Sequence, residues 1–340
     1  MSYSSISTMY LDRSSGQPSD HSSQVELMVV SAFPEKFNTN SALQDYVTWG
    51  FESILGKEKV LSCPLEVAPD LVKQLKPKLI VVFGSCMLDI SAYRATRLAC
   101  DKAGAGMAFW LHDDPYEFDY AFKAEEVADW IFSNDRWSAL HYSHPKVMHL
   151  PMAASKQAHF RPWVDQKEAD IAFCGVAFPN RIQLIKDLSP ILTQYRSRIC
   201  GSHWPSELTI AKNERLSNTE LSNLYARSTV TLNMGRQFNL ANDKFLLDAS
   251  TPGPRTFEAA MAGTVQCYFI ESLEMTDYFD DGKEIILFDS PNDFALQIES
   301  LIDEPGLAKR IAIAAQERAI RDHTYEERCK KILAFCGFAI

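Results

Sequence analysis

The chain contains no G-x-G-x-x-G and no G-K-[ST], so it lacks the phosphate-cradling loops of dinucleotide oxidoreductases and P-loop NTPases. It contains no D-x-D, so a metal-clamped diphosphate site has no support in the sequence. It has no C-x-x-C pair, although eight cysteines are present: Cys63, Cys86, Cys100, Cys174, Cys200, Cys267, Cys329 and Cys336. Several sit in apolar runs, which reads as reduced core residues of a cytoplasmic protein, not as disulfides or a zinc site. No uncharged apolar run approaches the roughly 18 residues of a membrane span. The first residues lack the basic start and apolar core of a signal peptide. Positive charge is also in deficit, with a formal net charge of −10 over 340 residues. Such a chain is a poor non-specific binder of DNA or of anionic membrane, which leaves room only for a local basic pocket.

What is present is ordinary globular composition, 46% hydrophobic and 23% charged, enough for two domains of moderate size. Nine of the first 24 residues are serine, which predicts a disordered or loosely docked leader over 1–24. Short β-branched runs then alternate with helical periodicity. "VELMVVSAF" (25–33), "KLIVVFG" (78–84) and "MAFWLHDDP" (107–115) read as buried strands. "SALQDYVTWGFESILG" (41–56) and "DISAYRATRLACDKAG" read as helices, the latter capped by Gly104. The pattern restarts at "ADIAFCG" (169–175), continues through "RIQLIKDLSPIL" and "SRICGSHWP", and reaches a helix that Asn218 would cap. Strands alternating with helices predict parallel sheets covered on both faces. Ligands of such sheets bind beyond the carboxyl ends of the strands.

The stretch "STPGPRTFEAAMAGTVQCYF" (250–269) concentrates chemistry at one such end. A helix N-terminus offers free backbone N–H groups and partial positive charge. With Arg255 beside it, the "TPGPRTFE" loop is a reasonable phosphate seat. Glu258, read as a first-turn residue, offers a carboxylate that suits a vicinal diol such as ribose. The competing reading is an Arg–Glu ion pair on a capped helix.

"RTFEAAMAG" with its following strand, "YFDDGKEIILFDSPNDFALQI" and "ERAIRDHTYEERCKKIL" resemble the C-terminal half of GT-B glycosyltransferases. The match looks like the group that includes the CgeB-like spore-maturation proteins. "ADIAFCGVAFPNRIQLIKDL", "CGSHWP", "FWLHDDP" and "IFSNDRWSALHYS" extend the similarity over about residues 78 to 335. The resemblance implies two Rossmann-like domains with a cleft between them. Residues 25–160 would form the N-terminal acceptor domain and 161–325 the C-terminal nucleotide-sugar domain, with a last helix over 324–340. It also implies a sugar transferred from a nucleotide-diphosphate donor, with Glu258 holding the ribose. Many relatives carry two glutamates separated by seven residues, and the earlier position here is Ser250. That departure leaves the hold on the sugar, and retention or inversion, open.

The remaining candidates lie at other strand ends. His112, Asp113 and Asp114 follow a buried aromatic run, where adjacent carboxylates are costly unless they face a cleft or cap a helix. The resemblance places such residues opposite the donor sugar, where an inverting transferase needs a base for the acceptor hydroxyl. Gly175 and Gly201 would let the backbone approach a ligand. Arg181, Arg236 and, more weakly, Lys244 are phosphate candidates, with Asn233, Ser250 and Thr256 lining the same site. Gly84, Ser85 and Cys86 would border the acceptor. Arginines and helix dipoles would carry the diphosphate charge, with no metal and no cofactor. The partners expected are a nucleotide sugar and an acceptor that is a glycan, a protein or a small molecule, with the acidic charge arguing against modified DNA. A sugar-nucleotide 2-epimerase and a non-catalytic surface-assembly protein are the alternatives on the same scaffold.

Overall fold

The computed structural model describes residues 25–33 and 42–338, so the serine-rich segment expected to be a leader lies outside the described residues. Two compact units form. Unit 1 takes the described residues up to Pro151, Asn239–Ala249, and the described residues from Tyr325 onward; unit 2 takes Met152–Phe238 and Ser250–Thr324.

Unit 1 is built on six parallel strands: β1 (Leu27–Ala32), β2 (Val60–Pro64), β3 (Leu79–Gly84), β4 (Gly106–Leu111), β5 (Trp130–Ser133) and β6 (Val147–His149), in the order β2-β1-β3-β4-β5-β6. Parallel strands are covered on both faces, which is why β1 and β3 are continuous apolar runs and not alternating ones. The helix Ile90–Ala103 starts where Asp89 accepts the Ser91 N–H at 2.8 Å and stops at Gly104 (φ 72°), as expected. The helix Tyr325–Phe335 packs on Ala42–Leu55. Gly50 permits this approach, since a Cβ there would lie 2.8 Å from Cys329 Sγ. Arg328, buried, donates from Nε to the Pro151 carbonyl at 2.9 Å. Asn239–Ala249 belongs here because the Leu240 and Ala241 N–H groups bond to the Tyr116 carbonyl and Leu247 enters the core. The backbone N–H groups of Asp243 and Lys244 also bond to the Asp119 carboxylate.

Unit 2 holds β7 (Ala169–Val176), β8 (Ser197–Ser202), β9 (Ala211–Lys212), β10 (Ser228–Asn233), β11 (Val265–Phe269) and β12 (Ile286–Phe288), ordered β12-β11-β10-β7-β8-β9 and all parallel. Its helices include Pro179–Leu192, Asn218–Ala226, Pro254–Met261, Pro291–Asp303 and Pro305–Asp322. The cap of Asn218–Ala226 is Ser217, not Asn218: its hydroxyl accepts the Glu220 N–H while Glu220 accepts the Ser217 N–H, a complete capping box.

The fold is therefore the expected pair of Rossmann-like α/β units. The units divide after Pro151, not near 160, and the last helix and 239–249 pack into unit 1. Lys244, considered for a phosphate, is accordingly a residue of unit 1, whereas Arg181, Arg236 and Arg255 belong to unit 2.

Two glycines fix strand ends. Gly201 has φ 142°, and a Cβ there would lie 1.8 Å from the Gly175 carbonyl oxygen; Gly84 has φ 137°, with Ala32 O at 2.6 Å. Gly201→Ala should lower stability by about 2 kcal/mol or more through backbone strain and the clash. Gly104→Ala, in open space, should cost about 1 kcal/mol. Denaturant titration of the two variants checks the order; equal losses would show that the contact with Gly175 is not tight.

Candidate functional site

The helix Pro254–Met261 opens on Gly253, its extended N-cap, with Pro254 at the first helical position where no N–H is needed. Glu258 is therefore the fifth helical residue and not a first-turn one. It is turned inward and is 2% exposed. Arg255 Nη1 donates to Glu258 Oε2 at 2.7 Å, with the arginine side chain 38% exposed. The guanidinium thus joins a buried carboxylate to the surface. Burial, the largest single influence, pulls the Arg255 pKa down, and the charges of Glu258, Tyr225 and Cys174 with the Glu258 hydrogen bond together outweigh it, so the net shift is upward.

On the other side of Glu258, His159 Nε2 lies 3.8 Å from Oε1. The Ser155 N–H donates to His159 Nδ1 at 3.0 Å, which places the proton of the neutral ring on Nε2, toward Glu258. Burial holds the His159 pKa below its ordinary value.

Two of the expected donor residues frame this helix from inside. Asn233 Nδ2 donates to Thr256 Oγ1 and to Gln266 Oε1, both at 3.1 Å, and Gln266 Nε2 donates to the Thr256 carbonyl at 2.9 Å. All three are buried, so they tie the start of the helix to β10 and β11 and do not line a surface. Gln266 carried no signal in the sequence beyond being polar within an apolar strand.

Arg181 is held by carbonyls. Its Nε donates to Gly235 O at 2.9 Å, Nη1 to Val176 O at 3.2 Å and Nη2 to Met234 O at 3.4 Å, so it links the end of β7 to the loop after β10. Glu271, exposed and not foreseen, accepts from the Gly235 N–H at 2.6 Å and from Asn180 Nδ2 at 3.1 Å. Arg236 lies 5.8 Å over the Phe238 ring. Gly175 and Gly201 are paired neighbours at the ends of β7 and β8. Ser250 is half-buried beside Thr251, whose hydroxyl donates to Glu274 Oε1 at 2.8 Å.

In unit 1, His112 and Asp113 come together and Asp114 does not join them. His112 Nδ1 lies 3.2 Å from the Gly84 carbonyl, which can only accept, so Nδ1 carries a hydrogen. His112 Nε2 lies 3.3 Å from Asp113 Oδ2, and that contact is attractive only with a proton on one of the two atoms. The pair is partly exposed, 16% and 19% by side chain. Asp114 points into the core, where its Oδ2 accepts from Ser133 Oγ at 2.6 Å and Tyr142 OH at 2.8 Å. Ser85 and Cys86, expected to border an acceptor, are buried too. They are pinned by Glu117, which accepts from Ser85 Oγ and the Cys86 N–H at 2.6 Å each. Glu117 was not foreseen, although an acidic residue in "PYEFDYAF" between aromatics was a usable cue. Among the described residues, no group of three or more His, Cys, Asp and Glu is arranged to hold a metal, and no helix is long and apolar enough to cross a membrane.

Residues 181–334 match a family model described as glycosyl transferase-like. No curated protein sequence matches the chain. Among solved structures, the chain resembles HepE of Anabaena in complex with UDP and glucose, at TM-score 0.63 and 11% identity, covering 92% of this chain and 100% of that one. It also resembles sucrose-phosphate synthase from Thermosynechococcus elongatus (TM-score 0.59, 8% identity, 92% and 98% covered). A third is a putative UDP-N-acetylglucosamine 2-epimerase from Listeria monocytogenes (TM-score 0.56, 10% identity, 91% and 95% covered). The two parallel six-stranded sheets are thus the GT-B architecture, and residues 181–334 within it are the stretch that matches the glycosyl transferase-like model.

The buried acids of unit 1 give a pH dependence. Burial raises Asp114 to about 7, against the hydrogen bonds of Ser133 and Tyr142; burial and then the charge of Asp113 raise Glu117 to about 8. Both groups hold their protons more tightly folded than unfolded. Their contribution to stability is full below the unfolded carboxylate range near pH 4 and is lost as pH rises through about 7 and 8. Amide exchange in β3 and β4 should therefore speed up between about pH 5 and 8.5 beyond its intrinsic pH dependence. Asp114→Asn with Glu117→Gln should flatten that slope. A wild type with no excess slope would refute the assignment.

Proposed function

We propose that the chain is a GT-B glycosyltransferase that takes a nucleotide-diphosphate sugar on unit 2 and passes the sugar to an acceptor hydroxyl without a metal ion. The observation that carries this reading is the Arg255–Glu258 pair: a buried carboxylate bonded to a guanidinium that reaches the surface, on the helix of the glycosyl transferase-like domain. On this reading Arg255 exchanges partners. The ribose diol takes Glu258 Oε2, and the released guanidinium turns to the diphosphate, where a charge-assisted bond is strong. Arg181 and Arg236 add positive charge at neighbouring strand ends, and Gly175 and Gly201 let the backbone come close. Asn233 and Thr256 hold the helix start in place. Ser250 leaves the sugar's 3- and 4-hydroxyls without the carboxylate that many GT-B relatives carry at that position. His112 and Asp113, whose Nε2 and Oδ2 lie 3.3 Å apart, are the proposed pair for the acceptor's proton.

UDP, the nucleotide named with the Anabaena neighbour, is the first probe. At 100 times its Kd a ligand stabilises by about 2.7 kcal/mol, a clear shift in melting temperature. Arg255→Ala should weaken UDP by about 10- to 150-fold, the loss of a charge-assisted bond of roughly 1.5–3 kcal/mol, and leave uridine nearly unaffected. Glu258→Gln should weaken both ligands. Equal losses for UDP and uridine in Arg255→Ala would remove the phosphate role.

His112→Ala and Asp113→Asn should bind UDP like the wild type and release nucleoside diphosphate about 100-fold more slowly with donor and acceptor present. Wild-type rates in both variants would move the proton transfer elsewhere. Formation of an epimeric nucleotide sugar with no release of nucleoside diphosphate would replace transfer by 2-epimerisation.

A further inference from the structure

Unit 2 carries two cysteines that are neighbours in space and far apart in sequence. Cys174 on β7 and Cys200 on β8 are register partners, one residue before the paired glycines Gly175 and Gly201. Register partners on adjacent parallel strands point their side chains to the same face. Adjacent strands lie roughly 4.8 Å apart, so register partners meet the Cα separation of about 4.4–6.8 Å that a disulfide spans. Both are free thiols within hydrogen-bonding reach of each other; Cys174 is half-buried and Cys200 fully buried.

The environment divides the labour between them. The hydrogen bond from Cys200, followed by the positive charge of Arg255, brings the Cys174 thiol down to about 7, against the effect of burial. The same hydrogen bond, with burial, pushes Cys200 well up. Cys174, the half-buried partner that a reagent can reach, is thus the attacking sulfur, and Cys200, fully buried behind it, is the resolving one. The other half-buried cysteine, Cys336, has its thiol pushed up to about 12 by burial.

We propose that Cys174 and Cys200 are a redox-responsive pair that closes to a disulfide across β7 and β8 when a hydroperoxide reaches the ends of these strands. The Cys174 thiolate attacks one peroxide oxygen, the O–O bond breaks, and the leaving hydroxide takes up the proton that Cys174 had lost, as water. The Cys200 sulfur then attacks the sulfenic sulfur of Cys174, the S–O bond breaks, and the departing hydroxide takes the Cys200 proton. Two thiols lose two electrons, and one hydrogen peroxide is reduced to two waters. The bond would lock the strand ends that lead into Gly175 and Gly201.

The test uses the whole protein, reduced, freed of reductant and treated with hydrogen peroxide near neutral pH. After thiol blocking and proteolysis, mass spectrometry should find the Cys174 and Cys200 peptides linked, lighter by two hydrogens and separated again by dithiothreitol. In Cys200→Ser the reaction should stop at a Cys174 sulfenic acid that dimedone traps. Without peroxide, iodoacetamide should label Cys174 at least about tenfold faster than Cys336, following thiolate fraction. The proposal is overturned if wild-type Cys174 proceeds to sulfinic acid with Cys200 still free. It is equally overturned if Cys336 reacts and Cys174 does not.

Discussion

A carboxylate taken out of water is the constraint on which the candidate site depends. Glu258 is 2% exposed, and an ionised group so placed is costly unless it is paired and hydrogen-bonded. Its neighbours answer that cost in sequence. Arg255 bonds one oxygen, His159 turns its Nε2 proton toward the other, and the Ser155 N–H fixes the histidine ring. The Asn233–Thr256–Gln266 network then holds the helix that carries both charges against β10 and β11. The result is a rigid interior with one adjustable element, the surface end of the Arg255 side chain.

Unit 1 solves the same problem without a cation. Asp114 and Glu117 are buried among hydroxyls and a backbone N–H, and their shifts run toward the neutral acid. The chain needs no counter-charge there, and the loop 84–87 is nonetheless fixed: Glu117 binds its Ser85 and Cys86, and Tyr93 OH donates to the Ser85 carbonyl at 2.6 Å. His112 rests on this loop through the Gly84 carbonyl. The partly exposed pair His112–Asp113 therefore stands on a foundation of protonatable acids.

Legibility in the sequence followed the range of the forces involved. Strands such as β1 and β3, and the Gly104 helix stop, were readable because burial on both faces and a left-handed cap leave local marks. The Ser217 cap was also local; the S-x-x-E spacing to Glu220 distinguishes it from Asn218. What escaped was long-range. Nothing around Leu240 or Lys244 says that Tyr116 and Asp119 receive their N–H groups, and nothing around Arg328 says that Pro151 does. At the site, the Arg255–Glu258 pairing was legible from its spacing. The inward turn of Glu258, the approach of His159 from 99 positions earlier, and the burial of Asp114 depend on packing that no single segment encodes.

The way unit 1 is assembled has a consequence for synthesis. Its cover helix, Tyr325–Phe335, meets Ala42–Leu55 through Cys329 Sγ and the Val47 carbonyl, which are 282 residues apart in the chain. A ribosome makes the whole sheet of unit 1 and then all of unit 2 before that helix exists. During this interval the apolar faces of Tyr46 and Trp110, buried against Tyr325 in the finished protein, lack part of their cover. Contacts of such sequence separation are slow to close, and exposed apolar surface in the meantime invites association. Of the two units, the one whose sheet is translated first is thus completed after the other, and that sheet needs protection until Tyr325–Phe335 has been made.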